Sequence, residues 1–184
     1  GGDTGPRLLG VTGTNGKTTT SFLAAALLEA LGRRSGIVGT ILIRAGEREV
    51  PSTLTTPEAT QLHALMALMR EEQVDTAVME VSSHALELGR VRGTSFAVAG
   101  FSNLSQDHLD FHPTMEDYFQ TKASLFSAEY GDPVPVICAD DEWGQRLAQQ
   151  VLRKAESTTD VAALSYVVTT NADAAAATSE LPDR

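Results

Sequence analysis

Gly10-Val11-Thr12-Gly13-Thr14-Asn15-Gly16-Lys17-Thr18-Thr19-Thr20 joins a short apolar stretch, Leu8 to Val11, to an Ala- and Leu-rich segment from Ser21 to Leu31. A strand, a glycine loop, Lys-Thr and a helix in that order form a phosphate-binding loop. The glycines let backbone N–H groups turn inward around phosphate oxygens, and the helix N-terminus contributes a favourable dipole. The lysine adds positive charge, and the threonine hydroxyl reaches a magnesium ion. The pattern is a variant: a full Walker motif has glycine five residues before Gly16, where this chain has Val11, and Gly13 stands in the loop instead. Ligand-free glycine turns between strand and helix are common, but Gly-Lys-Thr at the helix start is far rarer. The chain therefore reads as a user of nucleoside triphosphates.

Bulk properties agree. At 184 residues with 42% apolar content, the chain suits one domain with a real core. A net charge of −10 argues against nucleic acid or an anionic membrane as main partner, while leaving room for a local phosphate site. No stretch approaches the roughly eighteen apolar residues of a membrane helix, so no membrane insertion is expected. The single cysteine, Cys138, lies in the apolar run Val134 to Cys138 and reads as a buried core thiol. A reducing, cytoplasmic location and a monomer are expected. The chain starts Gly-Gly-Asp without an initiator Met, which suggests that residues precede it in a longer protein.

β-Branched segments alternate with helical ones along the chain. Predicted strands are 8–12, 36–43, 76–81, 96–102, 134–139 and 163–168, and predicted helices are 17–31, 57–72, 115–129 and 141–154. Thr56 as N-cap with Pro57 in the first turn marks the start of the second helix. Thr114, followed by Glu116 and Asp117, marks the third. Leu62, Leu65, Met66 and Met69 share one face at core spacing. The alternation implies an α/β fold, a mostly parallel sheet of the phosphate-loop NTPase kind with helices on both faces. In such sheets ligands sit at the carboxyl ends of strands, here after Thr12, around Glu80 and after Ser102. Residues 169–184, with an alanine run, read as loop or frayed tail.

Two constellations fall at those strand ends. Thr76-Ala77-Val78-Met79 runs into Glu80-Val81-Ser82-Ser83-His84, which places the Glu80 carboxylate to hold magnesium; a structural cap or ion pair is the plainer reading. Asn103 to His112 carries two histidines and two acids, Asp107-His108-Leu109-Asp110 and His112. The run lacks the Cys ligands and the His-Glu-x-x-His pattern of zinc sites, so magnesium or phosphate chemistry suits it better, with His108 favoured over His112. Lys122, mid-helix, reads as solvated surface on composition alone.

Taken together, these segments resemble the Mur ligase family. The resemblance rests on Gly13-Thr14-Asn15-Gly16-Lys17-Thr18-Thr19, Thr55-Thr56-Pro57, Met79 to His84, Asn103 to His112, and Tyr118-Phe119-x-x-Lys122-x-x-Leu125-Phe126, in order and at the right spacing. It covers about Leu8 to Trp143 well and fades beyond Ala155. Within the family it is similar to the members that add the third residue of the peptidoglycan stem peptide.

The resemblance implies a central ATP-binding domain over residues 1–184, incomplete, without the family's N-terminal UDP-binding and C-terminal amino-acid-binding domains. It implies ATP and Mg²⁺, with residues Gly13 to Thr19 around the phosphates and Lys17 on the β/γ oxygens. Thr18 and Glu80 would hold one magnesium, and His108 with Lys122 a second. Lys122 matches the family lysine that CO₂ converts to a carbamate, and Lys17, His108 and Lys122 are the implied catalytic residues. Thr55, Thr56, Ser82 and Arg90 match contacts to the muramyl-peptide substrate. The family often has Gln two residues before that Arg, and here Leu88 stands in its place.

The implied reaction is ATP-driven amide formation between UDP-N-acetylmuramoyl-L-alanyl-D-glutamate and a diamino acid, meso-2,6-diaminopimelate in the first instance, through an acyl phosphate. Alternatives are an L-lysine-adding ligase or a cyanophycin- or folylpolyglutamate-synthetase type. A phosphate-loop switch without ligation is the alternative from another class, and the Lys122 motif argues against it. The 184 residues alone are expected to bind nucleotide weakly and not to ligate.

Overall fold

The computed structural model describes residues 5–107, 111–157 and 166–168. His108, with Leu109 and Asp110, and the 169–184 tail lie outside the described residues. The elements, in order, are β1 (Arg7–Thr12), α1 (Lys17–Ala30), β2 (Ser35–Val38), β3 (Ile43–Ala45), β4 (Arg48–Val50), α2 (Ala59–Glu71), β5 (Thr76–Glu80), α3 (Ser83–Glu87), β6 (Val98–Phe101), α4 (Met115–Ala123), β7 (Val134–Cys138), α5 (Glu142–Ser157) and β8 (Tyr166–Val168).

The strands form one sheet in the order β4-β3-β2-β5-β1-β6-β7-β8. Its six strands from β2 to β8 pair in parallel, and β3 and β4 extend it as an antiparallel meander. β1 is central, with Val11 opposite Glu80 on β5 and Gly100 on β6. The phosphate loop therefore opens between the ends of β5 and β6, at the switch point where ligands bind in such sheets.

Alternation along the strands sends side chains to two cores. Leu8, Val38, Ala77, Met79, Phe101 and Ile137 pack with Leu62, Leu65 and Met69 of α2, Tyr118 and Phe119 of α4, and Leu147 of α5. Val11, Ile37 and Val78 face the other way, against Ala25 of α1. Handedness accounts for the split. From β1 to β2 the chain steps in one direction along the sheet, and every later parallel step runs in the other. Right-handed crossovers then place α1 on one face and α2, α4 and α5 on the opposite one.

Four expectations need correction. The run 36–43 is two strands, because the backbone leaves the sheet at Gly39 and returns antiparallel at Ile43. α2 begins at Ala59 with Glu58 at the N-cap and no side-chain capping bond, since the Thr56 hydroxyl is committed elsewhere. α4 ends at Ala123 and tightens into 3₁₀ turns over Ser124–Phe126 and Ala128–Tyr130. Cys138 is half-buried rather than in the core. Thr114 does cap α4: its Oγ1 accepts the Asp117 N–H at 3.1 Å.

Candidate active site

The loop after β1 turns on Gly13 (φ 142°) and Gly16 (φ 85°). A Cβ on Gly13 would overlap Ser102 Oγ, so close approach as well as conformation requires glycine there. The segment after β6 buttresses the loop. Thr14 N–H donates to the Asn103 carbonyl at 2.9 Å and Asn15 N–H to Asn103 Oδ1 at 3.0 Å. Ser102 Oγ and Asn103 Nδ2 both donate to the Asn15 carbonyl, at 2.6 and 3.1 Å. Because two loop amides are spent on Asn103, an anion here meets the next ones, Gly16 to Thr18, at the N-terminus of α1. These have no acceptor within the helix.

Lys17 folds back over the loop, donating to the carbonyls of Gly13 at 2.9 Å and Thr14 at 2.8 Å. Burial lowers its pKa, opposed by the negative charges of Glu80 and Asp107. Lys122 approaches from beneath. It is 1% exposed, donates to the same Gly13 carbonyl at 2.9 Å, and lies 4.6 Å above the Tyr118 ring. Burial, reinforced by the Lys17 ammonium and opposed by Asp107, brings its pKa down to about 7. The expectation of a solvated surface lysine is thereby corrected. Tyr118 ties the two layers together: its OH lies 3.2 Å from Thr14 Oγ1, which in turn accepts the Ser105 N–H at 3.0 Å.

Glu80 ends β5 at 1% exposure. Thr18 Oγ1 donates to its Oε2 at 3.0 Å, and Thr40 N–H donates to Oε1 at 3.1 Å. A Cβ on Gly39 would overlap Oε1, which explains the glycine before Thr40. Among the described residues, no group of three His, Cys, Asp or Glu side chains gathers to hold a metal. Thr18 and Glu80 instead offer one hydroxyl and one carboxylate beside a phosphate loop. That hard-oxygen set fits Mg²⁺, which takes one or two carboxylates and completes its shell with phosphates and water.

The backbone of Glu80 serves the neighbouring cluster. Thr56 Oγ1 donates to the Glu80 carbonyl at 2.8 Å and accepts the Ser82 N–H at 3.1 Å. Arg90 donates to the Thr56 carbonyl at 3.4 Å and pairs with Glu58 at 2.8 Å. Thr56, Ser82 and Arg90 thus converge, and Thr55 joins them through Thr40, 3.0 Å away. Leu88 stands outside the cluster at 57% exposure. His112 is 2% exposed, its ring 4.9 Å from those of Phe111 and Tyr118, in an aromatic packing role. Thr40, Ser102, Asn103 and Ser105 carry much of the site's hydrogen bonding, and sequence reading assigned a role to none of them. Asn103 and Ser105 lay within a quoted motif, whereas Thr40 was hidden inside a run read as strand.

A phosphate-loop motif packed against a second polar cluster at the carboxyl ends of interior strands is the arrangement of a phosphate-loop α/β domain. The chain belongs to the Mur ligase family, whose middle domain matches residues 11–180. It is 57% identical over 145 residues to UDP-N-acetylmuramoyl-L-alanyl-D-glutamate–2,6-diaminopimelate ligase of Corynebacterium glutamicum, covering 77% of this chain and 28% of that protein. It is 48% identical over 171 residues to UDP-N-acetylmuramyl-tripeptide synthetase of Leifsonia xyli subsp. xyli, covering 93% of this chain and 32% of that protein. A solved structure of a UDP-N-acetylmuramoyl-L-alanyl-D-glutamate–2,6-diaminopimelate ligase superposes with a TM-score of 0.69 at 34% identity, covering 92% of this chain and 33% of that one. The chain spans about a third or less of the length of these relatives. Among the described residues, no helix is long and apolar enough to cross a membrane.

Proposed function

We propose that this chain is the ATP-binding centre of a ligase that joins 2,6-diaminopimelate to the D-glutamate of UDP-N-acetylmuramoyl-L-alanyl-D-glutamate. The observation carrying the proposal is Glu80: its carboxylate faces the phosphate loop through Thr18, while its carbonyl is held by Thr56 of the second cluster. A γ-phosphate and an acceptor carboxylate bound at the two clusters would meet at one residue. The substrates are those named for the similar ligases of Corynebacterium glutamicum and Leifsonia xyli.

In this reading an acceptor carboxylate oxygen forms a bond to the γ-phosphorus as the bond to the ADP oxygen breaks. The amine nitrogen then attacks the acyl carbon, phosphate leaves, and the amine loses a proton. Lys17 moves from the loop carbonyls to the β/γ oxygens, exchanging two neutral acceptors for anionic ones. The α1 amides, fixed in place beforehand, neutralise phosphoryl charge together with Lys17, the main device of phosphoryl-transfer sites. Mg²⁺ held by Thr18 and Glu80 would supply further charge neutralisation. Thr55, Thr56, Ser82 and Arg90 orient the acceptor, with Arg90 as its cation.

Lys122 is proposed to react with CO₂. Only a neutral amine does so, and a pKa near 7 leaves a large neutral fraction at physiological pH. The carbamate would place an anion where an ammonium stands, a ligand for a second Mg²⁺ alongside His108. NMR of the protein in ¹³C-bicarbonate tests this: a carbamate signal in the wild type that Lys122→Met abolishes supports it, and an unchanged signal refutes it. We further propose that the domain works within a longer, monomeric, cytoplasmic protein that supplies separate UDP- and amino-acid-binding domains.

The deciding experiment incubates the full-length protein with ATP, Mg²⁺, the UDP-dipeptide and either meso-diaminopimelate or L-lysine, and weighs the product. A diaminopimelate tripeptide is the expected outcome. A lysine tripeptide would correct the acceptor, and no product with either would refute the ligase assignment.

A further inference from the structure

The β2–β3 connection, residues 39–42, lies against the β4–α2 connection and beside the Glu80 carboxylate. Thr40 makes the contact to both. Its N–H donates to Glu80 Oε1 at 3.1 Å, and its Oγ1 lies 3.2 Å from Glu80 Oε2 and 3.0 Å from Thr55 Oγ1. A second tie runs in parallel: Ser52 Oγ donates to the Gly39 carbonyl at 2.7 Å and lies 3.2 Å from the Leu54 carbonyl. Gly39 is what allows this approach, since a side chain there would overlap the carboxylate.

The Thr40 hydroxyl has one proton for two oxygen neighbours. Both accept it, the Glu80 carboxylate and the Thr55 hydroxyl oxygen, so the proton serves one at a time. Thr55 Oγ1, Thr40 Oγ1 and Glu80 Oε2 form a chain with Thr40 as the shared donor, and Oε2 also receives the Thr18 hydroxyl. Links in such a chain polarise one another. If Thr55 turns its own proton to an incoming acceptor oxygen, its oxygen becomes the better acceptor and draws the Thr40 proton away from Glu80. More negative charge then stays on Glu80 Oε2, making it a better partner for a cation beside Thr18.

We propose that Thr40 is a positioning residue that couples the two ends of the site, so that acceptor bound near Thr55 tightens binding of magnesium nucleotide at Thr18 and Glu80. The inference rests on the ligase reading given above. It assigns Thr40 no contact with either substrate. Its role is to report occupancy of one cluster to the other, which would favour nucleotide commitment only when the acceptor is in place. By linkage, magnesium nucleotide must tighten the acceptor by the same factor.

The test is calorimetry on the full-length enzyme carrying this domain. The affinity of a magnesium complex of a non-hydrolysable ATP analogue is measured with and without saturating UDP-dipeptide. The expected ratio in the wild type is about fivefold or more, the lower end of common coupling factors. Thr40→Val keeps the shape and the N–H but removes the hydroxyl, and it should bring the ratio to about one. Thr40→Ser restores the hydroxyl and should restore the ratio. Mere structural damage would shift individual affinities without selectively erasing their ratio. A valine variant that keeps the wild-type ratio, or a wild type with no coupling, overturns the relay while leaving the ligase reading intact. Failure of the UDP-dipeptide to bind a wild type that binds the nucleotide analogue would overturn the ligase reading and the relay with it.

Discussion

Lys122 shows how much one residue's surroundings can decide. A lysine in mid-helix is ordinarily solvated, yet this one is buried against the Gly13 carbonyl with the Lys17 ammonium near it. The folded protein releases the Lys122 proton near pH 7, whereas the unfolded chain holds it to about pH 10.5. Between those values the unfolded state binds more protons, so this residue makes the fold more stable as pH rises, by up to about 1.4 kcal/mol per pH unit. Lys17, Asp107 and the Tyr118 ring face the ammonium, and they bear on the pH at which the gain begins. Lys122→Met removes the titrating group. Urea unfolding of both proteins across this range should show the wild type gaining stability relative to the variant with rising pH. Parallel curves would mean that the lysine titrates as if solvated. Nothing in the spacing of Tyr118 to Phe126 carries this burial; the family resemblance pointed to Lys122, and the approach of α4 beneath the phosphate loop supplies the reason.

At the scale of elements, legibility followed how local the determining interactions are. The start of α4 was readable because its cap is local: Thr114 binds the amide of Asp117 three residues on, with Glu116 and Asp117 in the turn where the dipole favours negative charge. Thr114→Ala should cost about 1 kcal/mol in thermal or chemical unfolding. A cost below a few tenths would show that the first turn is held by tertiary contacts instead. The start of α2 was misread for the opposite reason. Thr56 has the chemistry of a cap, but its hydroxyl is drawn 24 residues along the chain to the Glu80 carbonyl. Likewise 36–43 reads as one β-branched strand, and only the distant Glu80 carboxylate explains why the chain breaks at Gly39 and Thr40. The three-residue strand β4 and the five-residue helix α3 are too short to show a period. The candidate site was legible where it lies on contiguous motifs, and hidden where a loop reaches it from elsewhere.

Over the whole molecule, the direction of the chain across the sheet sets an asymmetry that composition cannot show. One crossover runs from β1 to β2 and the rest run the opposite way, so among the described residues α2, α4 and α5 share a face and α1 stands alone on the other. The sequence reading of helices on both faces holds, but the two layers are unequal. α1 buries Ala25 and Ser21 against the sheet while Leu23 and Leu27 point outward at 67% and 62% exposure. Its apolar content therefore does not measure what it contributes to the core, whereas α2 seats Leu62, Leu65 and Met69 at full helical spacing in the larger core. Two leucines on these helices should then respond differently. Leu62, 2% exposed, is expected to lose about 2–5 kcal/mol on truncation to Ala, through lost transfer energy and the cavity left behind. Leu27→Lys should change stability by no more than about 0.5 kcal/mol in this chain, because the side chain is already in water. Denaturant titration of both variants separates the layers. Similar losses at the two positions would mean that α1 is as deeply packed as α2, contrary to a sheet whose handed connections load one face.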